Sequence, residues 1–221
     1  MNVILFGATG MLGQAALREC LLDPEVRRVV AITRNALGKS DPKLREVVVK
    51  DLFDVSRYAG DLANQDACLF CLGISSAGMR EADYRHITYD LTLAVGRELA
   101  TRNPNLTFVY VSGSGTDSSA QGRSMWARVK GETENALLAL PLRAAYMFRP
   151  AYIHAMNGET SRTPLYSVAM VAIKPLYPAL KRLLPKYVTD TERLSRAMLI
   201  ACKHGAPKQL LESPDINALA S

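Results

Sequence analysis

Three glycines in the run Gly7-Ala8-Thr9-Gly10-Met11-Leu12-Gly13 stand where a chain must turn tightly and approach a phosphate closely. The run follows the apolar Val3-Ile4-Leu5-Phe6 and opens a helical pattern, so it joins a buried strand to a helix N-terminus. In that context Gly7 makes the turn, Gly10 admits the pyrophosphate, and Gly13 lets the helix sit close on the sheet. Thr9, Met11 and Leu12 complete the cradle, where free N–H groups and a partial positive charge meet the phosphates. The chemistry is that of a dinucleotide site. About 20 residues on, an NAD site offers an acid to the ribose 2′-hydroxyl. Here the second strand ends Ile32-Thr33-Arg34-Asn35. A guanidinium suits a 2′-phosphate, so the cofactor expected is NADP(H) in preference to NAD(H). Asp51 and Leu52, after the third strand, stand where the adenine edge is covered.

The elements that position these residues follow from hydrophobic period. Strands are predicted at Asn2 to Phe6, Val29 to Thr33, Glu46 to Val49, Ala67 to Cys71, Thr107 to Ser112 and Ala144 to Phe148, with helices at Met11 to Leu22, Glu81 to Thr101 and Met125 to Leu140. Near-continuous apolar strands alternating with helices predict an α/β, Rossmann-type doubly wound parallel sheet. A polar, glycine-containing stretch from His154 to Pro164 divides a core, residues 1–153, from a C-terminal lid or substrate segment, residues 154–221, packed on the same domain. In that small appendage Val188 to Cys202 reads as an amphipathic helix started by Thr189 or Asp190.

Bulk properties narrow the function classes. A chain of 221 residues with 48% apolar content supports one sizeable core. The net charge of +6 is concentrated between Arg143 and Lys208, with 11 basic against 3 acidic residues. Without aromatic interleaving or a nucleic-acid motif, this reads as a phosphate site plus a solvated basic face, and no nucleic-acid partner is expected. Neither a secretory leader pattern nor a bilayer-length apolar run is present, so the expectation is a cytoplasmic protein without integral membrane association. Cys20, Cys68, Cys71 and Cys202 are too sparse for a disulfide framework or a metal site. Cys68 and Cys71 spell C-x-x-C, but within a strand they point to opposite faces. From Pro164 to Pro185 an apolar, proline-punctuated stretch needs a cover, the substrate pocket or a homodimer interface, with interfacial membrane binding ranked behind them because the prolines kink it.

The chain resembles the short-chain dehydrogenase/reductase superfamily, in the atypical branch of NAD(P)-binding, epimerase-like proteins that includes the Tat-interacting oxidoreductase. The resemblance spans nearly the whole chain. It rests on Gly7 to Gly13, Cys71-Leu72-Gly73, Val111-Ser112-Gly113, Lys130-Gly131-Glu132 and Phe148-Arg149-Pro150-Ala151. It implies that Leu72 and Gly73 line the cofactor ribose, Ser112 the substrate side, and Pro150 and Ala151 the nicotinamide amide.

That family carries Tyr-x-x-x-Lys, in which tyrosine moves the proton and lysine holds the ribose. This chain reads Trp126-Ala127-Arg128-Val129-Lys130. Lysine is kept and tyrosine is lost, and an indole N–H has no usable proton-transfer pKa. Lys130 and Ser112 are therefore the candidate catalytic residues, with Trp126, Ser114 and Tyr152 in the substrate pocket. His86, Tyr89 and His154 are further candidate proton sources, and Ser118 and Ser119 extend the polar loop. Two functions stay open: an oxidoreductase or epimerase-like enzyme on a small carbonyl or hydroxyl compound, and a non-catalytic NADP(H)-sensing module that regulates a protein partner.

Overall fold

The computed structural model describes residues 1–160, 177, 182 and 186–221. Apart from Tyr177 and Arg182, the apolar stretch 164–185 lies outside the described residues. Seven strands form one parallel sheet: β1 Asn2–Phe6, β2 Arg28–Thr33, β3 Leu44–Val48, β4 Ala67–Phe70, β5 Thr107–Val111, β6 Ala144–Arg149 and, added last, β9 Leu210–Glu212. Their order is β3-β2-β1-β4-β5-β6-β9, with every neighbouring pair parallel. Strand order reverses between β1 and β4, where doubly wound sheets leave a crevice at the carboxyl ends.

The period of two along β1 divides its side chains between two cores. Val3 and Leu5 pack with helix α1 (Met11–Leu22) and helix α5 (Thr191–His204) on one face. Ile4 and Phe6 pack on the other face with α3 (Leu91–Arg102) and with Leu137 of α4 (Met125–Leu138). Phe6, Phe70 and Phe108 stack across β1, β4 and β5 with centroid spacings of 5.3 and 5.9 Å. Cys68 belongs to one core and Cys71 borders the other, as strand alternation requires. Burial pushes both thiols up, Cys71 to about 12, so neither is an activated nucleophile.

The expected helices need correction at their boundaries, while strands β2 to β6 shift by one or two residues at an end. The helix expected over Glu81 to Thr101 is α2 (Glu81–Arg85), one wide π-type turn (His86–Asp90) and then α3. The helix expected from Val188 starts later, because Val188–Asp190 forms β8 against β7 (Tyr152–His154). Asp190 then caps α5, its carboxylate accepting the Arg193 N–H at 2.8 Å. The helix expected over Met125 to Leu140 ends two residues earlier, at Leu138, with Ala139 as its C-cap. A 3-10 segment, Val55–Leu62, and a C-terminal helix α6, Ser213–Leu219, were not predicted.

Candidate functional site

A cleft of about 690 Å³ opens at the carboxyl ends of β1, β2, β4 and β5, the place the strand order dictates. Its floor is the turn after β1. Gly7 has φ +85°, and a side chain there would meet the backbone of Cys71 and Leu72 at 2.7 Å. The Gly10 N–H donates to the Gly7 carbonyl at 2.9 Å and closes the turn. Gly10 caps α1 without a side-chain hydrogen bond, so the first amides of the helix are left to the cleft beside Thr9, Met11 and Leu12. Gly13 is one step back: it does not line the cleft but packs against the turn, where a Cβ would fall 2.0 Å from the Gly7 oxygen.

At one end of the cleft stand Thr33, Arg34 and Leu52. Arg34 is exposed and has no ion-pair partner among the described residues. Asp51 does not line the cleft; its carboxylate accepts the Phe53 N–H at 2.9 Å and shapes the loop that presents Leu52. Leu72, Gly73, Ile74 and Ser75 form the wall after β4.

Ser112, Lys130 and Ile153 form the other end. The Lys130 amine donates to the Ser112 carbonyl oxygen. Desolvation pulls its pKa down from 10.5 to about 8 against the opposing attraction of Glu134. The Ser112 hydroxyl donates to Glu134 at 2.5 Å. Glu134 is fully buried and is gripped by Arg149 through Nε at 3.0 and 3.1 Å and also through Nη2. Arg149 Nη2 also donates to Ser118 at 2.6 Å. Glu134 was missed in the sequence. The available signal was its place one turn beyond Lys130 on the same helix face.

Several predicted residues are placed elsewhere. Trp126, half-buried, lies one turn before Lys130 and is absent from the cleft wall; its ring edge faces Gly115, where a Cβ would lie 3.5 Å away. The Ser114 N–H donates to the Pro150 carbonyl at 2.9 Å, and the Ala151 N–H to Ser213 Oγ at 2.9 Å, so these three tie β6 to its surroundings outside the cleft wall. Tyr152 lies 3.4 Å from His154 Nδ1, and His154 stacks on Tyr177 at 3.7 Å. His86 stacks on Phe53 and contacts Asp90, while Tyr89 lies under Arg85 at 4.0 Å. None of these rings borders the cleft. Ser119 bonds Asp117 at 2.7 Å within its loop.

Lys130 gives a measurable pH signature. Its folded pKa is depressed, so between about pH 8 and 10.5 the unfolded chain holds a proton that the folded chain has released. Stability therefore rises across that window. In urea titrations of the nucleotide-free protein the rise is expected for the native chain and not for Lys130→Met; parallel curves would show the amine to be freely solvated.

No family model matches the chain. Among curated proteins it is 30% identical over 168 residues to the mitochondrial protein fmp52-1 of Aspergillus terreus, covering 72% of this chain and 69% of that one. It is 28% identical over 167 residues to the mitochondrial protein fmp52 of Emericella nidulans, with coverages of 72% and 70%. Among solved structures, a UDP-glucose 4-epimerase superposes with a TM-score of 0.72 at 16% identity, over 99% of this chain and 80% of that one. Bordetella bronchiseptica WbmF in complex with NAD+ superposes with a TM-score of 0.70 at 17% identity, over 99% and 76%. The fold is thus that of the short-chain dehydrogenase/reductase and epimerase structures, as the glycine turn and its companion motifs implied. The cytoplasmic expectation is overturned, because the curated relatives are named as mitochondrial proteins. Among the described residues no helix is long and apolar enough to cross a membrane.

Proposed function

The chain belongs to the fmp52 family, and on that premise we propose that it binds NADP(H) in preference to NAD(H) and acts as an oxidoreductase or epimerase-like enzyme on a small carbonyl or hydroxyl compound. The observation that carries this reading is the continuous cleft, which runs from Arg34, past the uncapped N-terminus of α1, to Lys130 and Ser112. The residues fit the cofactor: Gly7 keeps the phosphate cradle clear of side chain, α1 offers its amides, and Arg34 offers two parallel donors to a 2′-phosphate. The bound nicotinamide would supply hydride chemistry. Lys130 would hold the ribose hydroxyls, exchanging its bond to the Ser112 carbonyl for them. The NAD complexes among the solved neighbours support a nicotinamide cofactor, and the names of the relatives support a mitochondrial location.

A specific observation favours the second reading, a non-catalytic NADP(H)-sensing module acting on a protein partner. Trp126 stands where short-chain dehydrogenases and reductases usually carry tyrosine and lies outside the cleft wall, and the Ser112 hydroxyl is engaged by Glu134. Two measurements decide. Titration calorimetry is expected to show NADPH binding more tightly than NADH, with Arg34→Ala weakening NADPH selectively by about 1.5–3 kcal/mol. Equal affinity of the native chain for both cofactors removes the NADP(H) assignment. NADPH oxidation over a panel of small aldehydes and ketones then separates enzyme from sensor: turnover supports the first, tight binding without turnover the second.

A further inference from the structure

Arg34 lies on a loop at the outer side of the sheet, and an exposed arginine grips an anion well only if its backbone is held in place. Glu46, on β3, supplies that hold. Its Oε1 accepts the Leu37 N–H at 2.6 Å and lies 3.4 Å from the hydroxyl of Thr33, the last residue of β2. One carboxylate oxygen thus pins the loop at its start and three residues beyond Arg34. Leu37 itself packs against the core that contains Val29 and Ala31, which fixes the far end of the loop a second time. Thr33 and Arg34 line the cleft and Glu46 does not, so the acid stands behind the loop rather than in the site.

We propose that Glu46 is a specificity-determining positioning residue that sets the preference for a dinucleotide bearing a 2′-phosphate by fixing the Thr33-to-Leu37 loop with Arg34 in the cleft wall. The inference rests on the NADP(H) reading above. It assigns a role to an acid that has no motif of its own and comes from the strand next to the one that usually carries the specificity residue. The carboxylate has two consequences of opposite sign. Its bond to the Leu37 N–H orders the loop, and its negative charge near the same region opposes a phosphate. The first acts over 2.6 Å through a direct hydrogen bond, while the second is weakened because the charge is engaged by donors on the loop itself.

Two variants separate these contributions. Glu46→Ala removes the anchor; Glu46→Gln keeps an oxygen able to accept from Leu37 and removes the charge. With native and variant proteins titrated with NADPH and with NADH, Glu46→Ala is expected to raise the NADPH Kd about fivefold to tenfold, the range for reordering one or two residues. The NADH Kd is expected to stay within about twofold, since its adenosine ribose makes no charged contact with Arg34. Glu46→Gln is expected to keep the native ratio. Thermal unfolding of each protein confirms the fold. Equal weakening of both cofactors by Glu46→Ala, or an unchanged ratio, would overturn the proposal while leaving the NADP(H) reading intact. A Glu46→Gln loss as large as that of Glu46→Ala overturns the anchoring account, because the oxygen that is kept would then not hold the Leu37 N–H. A native chain with no preference for NADPH overturns the reading and this inference together.

Discussion

Replacement of Glu134 by alanine is expected to cost about 3–5 kcal/mol of folding stability, the range for removing one partner of a buried ion pair. Glu134 has no exposed surface, and the Arg149 side chain is 10% exposed. Without the carboxylate the guanidinium keeps Glu212 at 3.6 Å as its carboxylate among the described residues, a longer and more exposed contact. Ser112 loses its acceptor at 2.5 Å, and its hydroxyl is left with the Phe148 carbonyl at 3.2 Å. Two groups each lose their shortest partner by one deletion and keep only longer ones, which is why the effect is large. Removing both charges, as in Glu134→Leu with Arg149→Met, is expected to recover part of the loss, because the guanidinium no longer stays buried without its carboxylate, while Lys130 loses the attraction of Glu134 in either case. Urea unfolding of the singles and the double closes the cycle. A loss below about 1 kcal/mol for Glu134→Ala would mean that water reaches Arg149 readily.

Gly13→Ala is the second large expected effect, and it strikes binding as well as stability. The added methyl would lie 2.0 Å from the Gly7 oxygen, 2.6 Å from its carbonyl carbon and 2.9 Å from Ala8 Cα. All three are backbone atoms, so no side-chain rotation relieves the clash and the turn itself must move. Overpacking of this kind costs about 1–3 kcal/mol, with this site at the upper end. Because the displaced turn is the proposed phosphate cradle, NADPH affinity is expected to fall by about 10–100-fold, the worth of one charge-assisted contact or more. Gly60→Ala is the control, since a Cβ there meets nothing within 4 Å. If Gly13→Ala matches that control in melting temperature and in NADPH titration, the turn is far more compliant than its contacts imply.

The parts of the molecule legible in the sequence are those in which residue type and backbone demand coincide. Gly7 needs a left-handed φ and Gly13 a bare Cα, and both leave glycine as their signature. Five of the six long strands were legible because burial on both faces makes them largely apolar, whereas β3, at the edge of the sheet with Arg45 and Glu46 in it, starts two residues before the expected Glu46. By contrast β7, β8 and β9 are three residues each, too short to display a period. The wide turn at His86–Asp90 adds its residue without changing the composition of the helix around it. At the site, helical spacing correctly put Trp126 and Lys130 on one face of α4. Spacing along a face is also distance along an axis, however: one turn is about 5.4 Å, enough to carry the indole from the cleft to the loop at Gly115. Glu134 and Arg149 were visible only as a helix acid and a strand-end base, 15 residues apart, and nothing local announces that they meet.

The seventh strand has a consequence for how the chain comes off the ribosome. β6 ends at Arg149, and the segment that pairs with it begins at Leu210. Synthesis of the intervening stretch takes several seconds at about 5–20 residues per second. Throughout that interval β1 to β6 can assemble, but the outer side of β6 presents unpaired N–H and C=O groups flanked by Met147 and Phe148, which are fully buried in the finished protein. An open, apolar strand edge is a template for pairing with a neighbouring nascent chain. Closure comes only when Leu210–Glu212 arrives, followed at once by Ser213, whose hydroxyl accepts the Ala151 N–H and latches the end of β6 from the other side. During translation the β6 edge is therefore open until Leu210–Glu212 is in place, and escape from aggregation until then requires that this edge be kept from its neighbours.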